Sequence, residues 1–399
     1  MKKTLFFVIL FFVVGHLLNA QIPCINDVEY SLVSLKQIPK AKKMFDECFP
    51  GNESSAKAWL VRANVYIQYY TYELDRKNKD SRYVITTPDA IITANESFYK
   101  TLELNPDIKA SPGLLDPKDG QLLSAPYIHD LAAAAMEKKD YAEAIKLLNL
   151  VIRSYKADVK GSAKNLVYAY FDLANCYNVM GDEVNYKKTL LDAIKLNVPV
   201  PDIYLNLYDI YKKENDTVKC GEILTQAKKA IPDSLALNIR AYELDYYAMV
   251  GDSAKLVDAA LKMYEKNKEN IEVIIMVSRY LVNGKLYTKA EEIINAGLAI
   301  DSKNFELNQL MASRFYFEAV DYDRKKEDLV ALRKYMAAQP LLEKANEILG
   351  TAVIWAEKAY KIDQTDRQLN IMYYEILFRL MMDAPEGLQE KVNSYLKKQ

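Results

Sequence analysis

Two histidines, His16 and His129, are the whole supply of side chains whose ordinary pKa lies near neutrality. His16 sits in an apolar run near the start of the chain, which leaves His129 as the lone candidate base. It stands one turn into a helical stretch and is followed by Asp130. A histidine-rich metal site is excluded, and any Ser/His/Asp triad would have to run through His129. A lone histidine at a groove edge reads first as a polar wall residue. There is no Walker loop, no GxGxxG after a strand, no HExxH and no CxxC pair. Asp and Glu are spread over helix surfaces, as solubility requires, so no carboxylate pair stands out. These residues call for no cofactor and no metal.

Four cysteines remain. Cys24 and Cys48 flank a first hairpin in which Asn26–Leu35 reads as one helix, 36–39 as the turn and Lys40–Cys48 as the second helix. Antiparallel helices of similar length bring those ends together. In an oxidising compartment a disulfide fits, closing a loop worth about 3 kcal/mol in the chain-entropy account. Two independent small core residues are the alternative. Cys176 and Cys220 fall inside helices of different units and read as buried thiols.

The elements that must position these groups repeat. Residues 167–200, 201–234, 237–270 and 271–304 are four blocks of 34 residues, interrupted once by two extra residues. A period of this size marks stacked supersecondary units. Tyr177, Tyr211 and Tyr247 recur late in each first helix. Polar turns come next at Gly181-Asp182, Asn215-Asp216 and Gly251-Asp252, where Gly or Asn can end one helix and Asp can cap the next. Small residues, among them Ala193, Cys220, Ala227, Ala290 and Gly297, let two antiparallel helices approach closely.

The pattern Tyr170, Leu173-Ala174, Tyr177, Gly181, Leu190, Ala193, echoed by Tyr287, Ala290, Ile294, Gly297 and Asp301, resembles the tetratricopeptide repeat (TPR). The resemblance implies an all-α fold, a TPR-type α-solenoid: a superhelix of stacked antiparallel helix pairs with first helices lining its concave face. Tyr208, Tyr186 and Leu256 depart from the small residues of the family pattern and leave local helix angles open. The resemblance also implies a binding groove. Phe171, Asn175, Asp209, Asp245, Arg279 and Tyr316 are the candidates there, with Lys212, Gln309 and Ser313 beside them. Asn175 matches the asparagine that often holds a peptide backbone in the family. The basic companions of a carboxylate clamp are missing around it, which argues against a free acidic C-terminus as ligand.

Lys2 and Lys3 precede LFFVILFFVVGHLLNA, so residues 1–20 read as a signal peptide cleaved after Ala20. The apolar run falls short of the roughly 20 residues a membrane span needs. Gln21-Ile22-Pro23-Cys24 lacks the small residue that lipidation of Cys24 would require. Signals ending Asn-Ala-Gln resemble those of Bacteroidota. Losing two lysines from 53 basic residues, against 54 acidic ones, leaves a net charge of −3. Such balance gives no general pull towards nucleic acid or an anionic membrane.

Along the chain, 21–54 reads as an N-terminal helical hairpin and 55–124 as an enlarged unit ending in a Pro-rich loop over 107–126. Residues 125–304 read as the regular array, 305–366 as a second enlarged unit and 367–399 as capping helices. Leu74–Asp80 (LDRKNKD) and Tyr322–Asp328 (YDRKKED) echo each other in the enlarged units. In the first, the charged stretch DRKNKDSR follows a helix that ends at Leu74. In the second, the stretch from 304 to 340 outlasts a normal first helix by nearly thirty residues. Its partner starts at Pro340, with Ala352, Ala356, Ala359 and Ile362 at repeat spacing. The expected function is a non-enzymatic protein-binding module or scaffold of the cell envelope, taking a protein or peptide partner and no nucleic acid, with no stable membrane insertion. An accessory subunit of an envelope secretion or uptake machine is the alternative. A helical hydrolase or lyase using scattered acids is a third, from another class. The partner and the oligomeric state are not legible.

Overall fold

The computed structural model describes residues 23–397, so the expected leader over residues 1–20 lies outside the described residues. The described chain is all helix and connection, with no strand. It forms two compact units, one up to Leu207 and one from Tyr208. Within each, antiparallel helix pairs succeed one another as in the tetratricopeptide fold.

The first unit holds α1 (residues 23–33), α2 (Ile38–Cys48), α3 (Ala56–Lys79), α4 (Ala90–Leu104), α5 (Pro117–Glu137), α6 (Tyr141–Tyr155), α7 (Val159–Val179) and α8 (Glu183–Ile194). The boundary runs through α9 (Pro201–Lys213). The second unit continues with α10 (Thr217–Ala230), α11 (Leu237–Met249), α12 (Ser253–Glu265), α13 (Ile271–Asn283) and α14 (Tyr287–Ile300). It closes with α15 (Phe305–Ala331), α16 (Tyr335–Ile362), α17 (Arg367–Arg379) and α18 (Leu388–Leu396).

The turns explain the pairing. Lys139, Gly181, Asn215 and Gly251 all take positive φ at the end of a first helix. An aspartate comes after each, and its carboxylate accepts from the backbone N–H three residues on: Asp140 from Glu143, Asp182 from Asn185, Asp216 from Lys219 and Asp252 from Lys255. The left-handed residue stops one helix and the aspartate starts the next. Each such cap contributes about 1 kcal/mol.

Close packing is the work of the small residues. Ala193, Ala227, Ala260 and Gly297 have no exposed surface or are buried in the core. A Cβ on Gly297 would stand 2.8 Å from both Ile274 and Leu307, so only glycine lets α14 sit this close to its neighbours. Tyr208 occupies a small-residue column yet is fully buried. The small Cys220 lies against its backbone carbonyl, and the phenol reaches out to Asp245. In α16, Ala345, Ala352, Ala356 and Ala359 form a stripe packed with Ala312 and Ala319 of α15. Ile362, expected in that stripe, is exposed. Leu388 and Val392 of α18 cover the last core alongside Leu369 and Tyr373.

Four expectations are corrected. The first hairpin is helical from residue 23 and its second helix starts at Ile38, because Pro39 fits a first turn, where no N–H is needed. The Pro-rich loop ends at Asp116, not at 126. Pro117 opens α5 for the same reason, Pro126 lies inside it, and the expected boundary between 124 and 125 falls within this helix. Gly120 there meets the Phe98 ring so closely that an added Cβ would overlap it. The remaining loop is fastened by Asn64, whose side chain accepts from Leu115 N at 2.7 Å and donates to Leu115 O at 3.2 Å. The charged run DRKNK belongs to α3, which continues to Lys79. Finally, the residues from 304 to 340 are not one overlong first helix. A turn with Arg333 at φ 58° divides them, and α16 absorbs Pro340.

Candidate functional site

Successive first helices of the second unit are tied along one face by polar side chains. Asp245 of α11 accepts from Tyr208 Oη at 2.8 Å and from Lys212 Nζ at 2.7 Å, both on α9. In return Asp209 of α9 accepts from Tyr242 Oη at 2.9 Å. Burial first, and then Asp245, push the Tyr208 phenol far up; burial and Asp209 push Tyr242 up to about 12. Both phenols therefore remain donors at any physiological pH. Arg279 of α13 pairs with Glu306 of α15 at 2.7 Å. Asp209, Asp245 and Arg279, expected as partner contacts, are thus engaged within the chain.

Beyond this tied region the face opens. A cleft of 520 Å³ is walled by α13, α15 and α17. Leu310, Ile371, Met372 and Phe317 supply apolar surface, while Arg279, Glu306, Gln309, Gln368 and Glu375 supply polar groups around it. Ser313 Oγ donates to the Met372 sulfur at 3.7 Å, and Gln309 donates to Asp366 at 2.9 Å. Burial first, and after it the Glu375 carboxylate, hold the Tyr316 phenol above its ordinary range. The cleft unites two expected residues, Arg279 and Tyr316, with Gln309 and Ser313. Phe171 and Asn175 are half-buried on α7 of the first unit.

Glu306, Gln368, Met372 and Glu375 were not anticipated. Residues 367–399 read as a cap, whereas α17 behaves as a further first helix. The signal was present at a different spacing: Gln309, Ser313 and Tyr316 recur as Gln368, Met372 and Glu375 at an offset of 59 residues. The elongated α15–α16 pair hides it from a 34-residue ruler.

His129 of α5 pairs through Nε2 with Asp172 Oδ2 of α7 at 2.7 Å. This joins two first helices and has the same architectural role as the tyrosine–aspartate ties. Cys24 and Cys48 are bonded to each other, with Cα atoms 6.1 Å apart, within the usual span of a disulfide. Cys176 and Cys220 are buried. Burial first, then Asp172, push the Cys176 thiol up to about 11, and burial raises Cys220 as well. Neither is a ready nucleophile. Lys228 of α10 pairs with Glu243 at 2.7 Å and links α10 to α11.

No protein-family model and no curated protein matches the chain. Solved structures do. The C-terminal part of a TPR repeat-containing protein from Cytophaga hutchinsonii is 15% identical, with a TM-score of 0.37, covering 66% of this chain and 99% of that one. A tetratricopeptide repeat protein from Parabacteroides merdae is 12% identical, with a TM-score of 0.34, covering 79% and 98%. Yeast Tom70 is 13% identical, with a TM-score of 0.37, covering 94% and 83%.

Proposed function

We propose that this chain is a non-enzymatic protein-interaction module whose α13–α15–α17 cleft holds an extended segment of a partner protein. The observation that carries this reading is the cleft itself: three successive first helices contribute apolar surface bordered by amide and charged groups. Its chemistry suits a peptide. Leu310, Ile371 and Met372 can take an apolar side chain, and the Gln309 and Gln368 amides can serve backbone donors and acceptors. Arg279 and Glu306 already neutralise each other and Glu375 adds a further negative charge, so the rim disfavours a strongly acidic segment. The basic and apolar residues of the leader support placement in the cell envelope. Asn175 and Phe171 remain candidates for a further contact.

The test is selection of random peptides on the purified protein, then titration against variants. Ser313→Arg fills the cleft with a long charged side chain and should weaken selected peptides at least tenfold, because buried central contacts dominate such interfaces. Lys228→Glu should change affinity less than twofold. Peptides that ignore Ser313→Arg but are lost with Lys228→Glu would move the binding surface to the α10–α12 side.

A further inference from the structure

The tip of the α15–α16 hairpin lacks the aspartate cap of four regular turns, those of Asp140, Asp182, Asp216 and Asp252. It shares this lack with the α13–α14 turn, where Leu286 makes no side-chain cap. The tip reads Val330-Ala-Leu332-Arg333-Lys334-Tyr335-Met336, and the N-cap residue of α16, Lys334, makes no side-chain cap. Met336 is 91% exposed, Leu332 65% and Tyr335 62%. Arg333 and Lys334 are the only charged residues between 329 and 342, and neither has an ion-pair partner among the described residues.

The tip also stands clear of its neighbours. Lys285 and Tyr287, at the α13–α14 turn, both bond to Asp321, and Arg379, at the end of α17, bonds to Asp323. These contacts fix the level at which the adjacent helices end. Helix α15 runs on to Ala331, eight to ten residues further, or about 12–15 Å at 1.5 Å per residue. A two-helix prong thus carries exposed apolar side chains and two cations without ion-pair partners forward of the turns beside it.

We infer that this prong docks peripherally on an anionic lipid surface. Leu332 and Met336 enter the acyl boundary, Tyr335 sits among the headgroups, and Arg333 and Lys334 meet their phosphates. This is the division of labour that interfacial elements show, with apolar area and local positive charge acting together. The occupant is argued from charge. Arg333 and Lys334 stand at the very tip, and the nearest acids, Glu327 and Asp328, lie a turn or more back along α15 beside Arg324, Lys325 and Lys326. This surplus of positive charge complements an anionic headgroup layer, even though the whole chain is close to neutral. No helix among the described residues is long and apolar enough to cross a membrane, so the contact is one of docking. The inference does not rest on the peptide cleft, which lies elsewhere in this unit.

The test uses the full chain with Met336→Cys carrying an environment-sensitive dye. Labelling is selective because Cys24 and Cys48 are bonded and Cys176 and Cys220 are buried. Vesicles of phosphatidylglycerol and phosphatidylethanolamine should shift the dye to the blue, and lipid-attached quenchers should dim it. Phosphatidylcholine vesicles should bind at least tenfold more weakly. Arg333→Ala with Lys334→Ala should weaken binding to the anionic vesicles about 20–30-fold, at roughly fivefold per basic residue. Leu332→Ser should weaken it a further several-fold. A dye unchanged by anionic vesicles overturns the proposal, even if the chain floats with them through its N-terminal residues. A blue shift that grows with protein concentration in the absence of vesicles overturns it too, since a second copy would then cover the tip.

Discussion

Two nearly identical charged runs end in opposite structures. Leu74–Asp80 lies at the end of α3 and Tyr322–Asp328 in the last third of α15. After the first, the chain leaves the helix at Asp80 and folds back. Residues 80–89 wrap over Glu73, which has no exposed surface. Its carboxylate accepts from Tyr83 Oη at 3.0 Å, from Thr86 N at 2.9 Å, from Thr86 Oγ1 and from Thr87 N at 3.1 Å. After the second run, the helix simply continues. The residues next in the chain decide the outcome. Ser81-Arg-Tyr-Val-Ile-Thr-Thr-Pro88 is β-branched and ends in proline, both unfavourable to helix. Leu329-Val-Ala-Leu332 is compatible with helix. A charged run alone sets neither the end of a helix nor its role.

The contrast is broken most severely at Glu73. Glu73→Ala leaves two part-buried N–H groups and two hydroxyls without their acceptor, and should cost about 2–3 kcal/mol of stability in thermal or urea unfolding. An unchanged midpoint would show that the connector is held by other means. Burial alone would raise the Glu73 carboxyl pKa, but the bonds from Thr86, Tyr83 and Thr87 outweigh it and hold it below the ordinary value. A depressed carboxylate stabilises the fold above its unfolded pKa. That contribution is lost as pH falls through the folded value. Acid titration should therefore release the 80–89 connector below about pH 4, the ordinary carboxylate range. Glu73→Gln should remove this pH dependence.

A smaller effect is expected at the foot of the prong. Burial would raise the Asp321 carboxyl, yet Lys285 and Tyr287 hold it below its ordinary range. Asp321→Ala frees both and should cost about 1–2 kcal/mol, read by the same unfolding curves. At the turn, Arg333→Gly relieves a left-handed non-glycine residue and should stabilise by about 0.5–1 kcal/mol. Smallest of all, Leu332→Ser with Met336→Ser should move stability by less than about 0.5 kcal/mol, because those side chains face solvent. A larger loss would mean that the tip packs on something.

Much of this architecture was legible. The Gly-Asp and Asn-Asp turns carry their mechanism in two residues, and small side chains at helix spacing announce close pairs. Proline misled twice, because Pro117 and Pro340 look like breakers but occupy a first helical turn and the opening turns of a long helix. The candidate site was half legible. Arg279, Gln309, Ser313 and Tyr316 were placed by counting from the tyrosine columns. The far wall on α17 escaped because its offset is 59 residues rather than 34. Asp209 and Asp245 were correctly placed on first helices, but sequence gives no means of seeing that tyrosines one repeat away satisfy them.

Helix α15 has one more consequence, on the clock of isotope exchange. Its first part is flanked by α13, α14, α16 and α17, whereas the residues past Asp323 extend beyond the ends of α13 and α17 and keep only α16 beside them. Amides of a single unbroken helix should therefore report two stabilities. Those up to about Asp321 should exchange deuterium only when the surrounding pairs open, and those from about Glu327 to Ala331 should exchange by fraying of the prong alone. The prong can open and reclose many times without disturbing the cleft at its base.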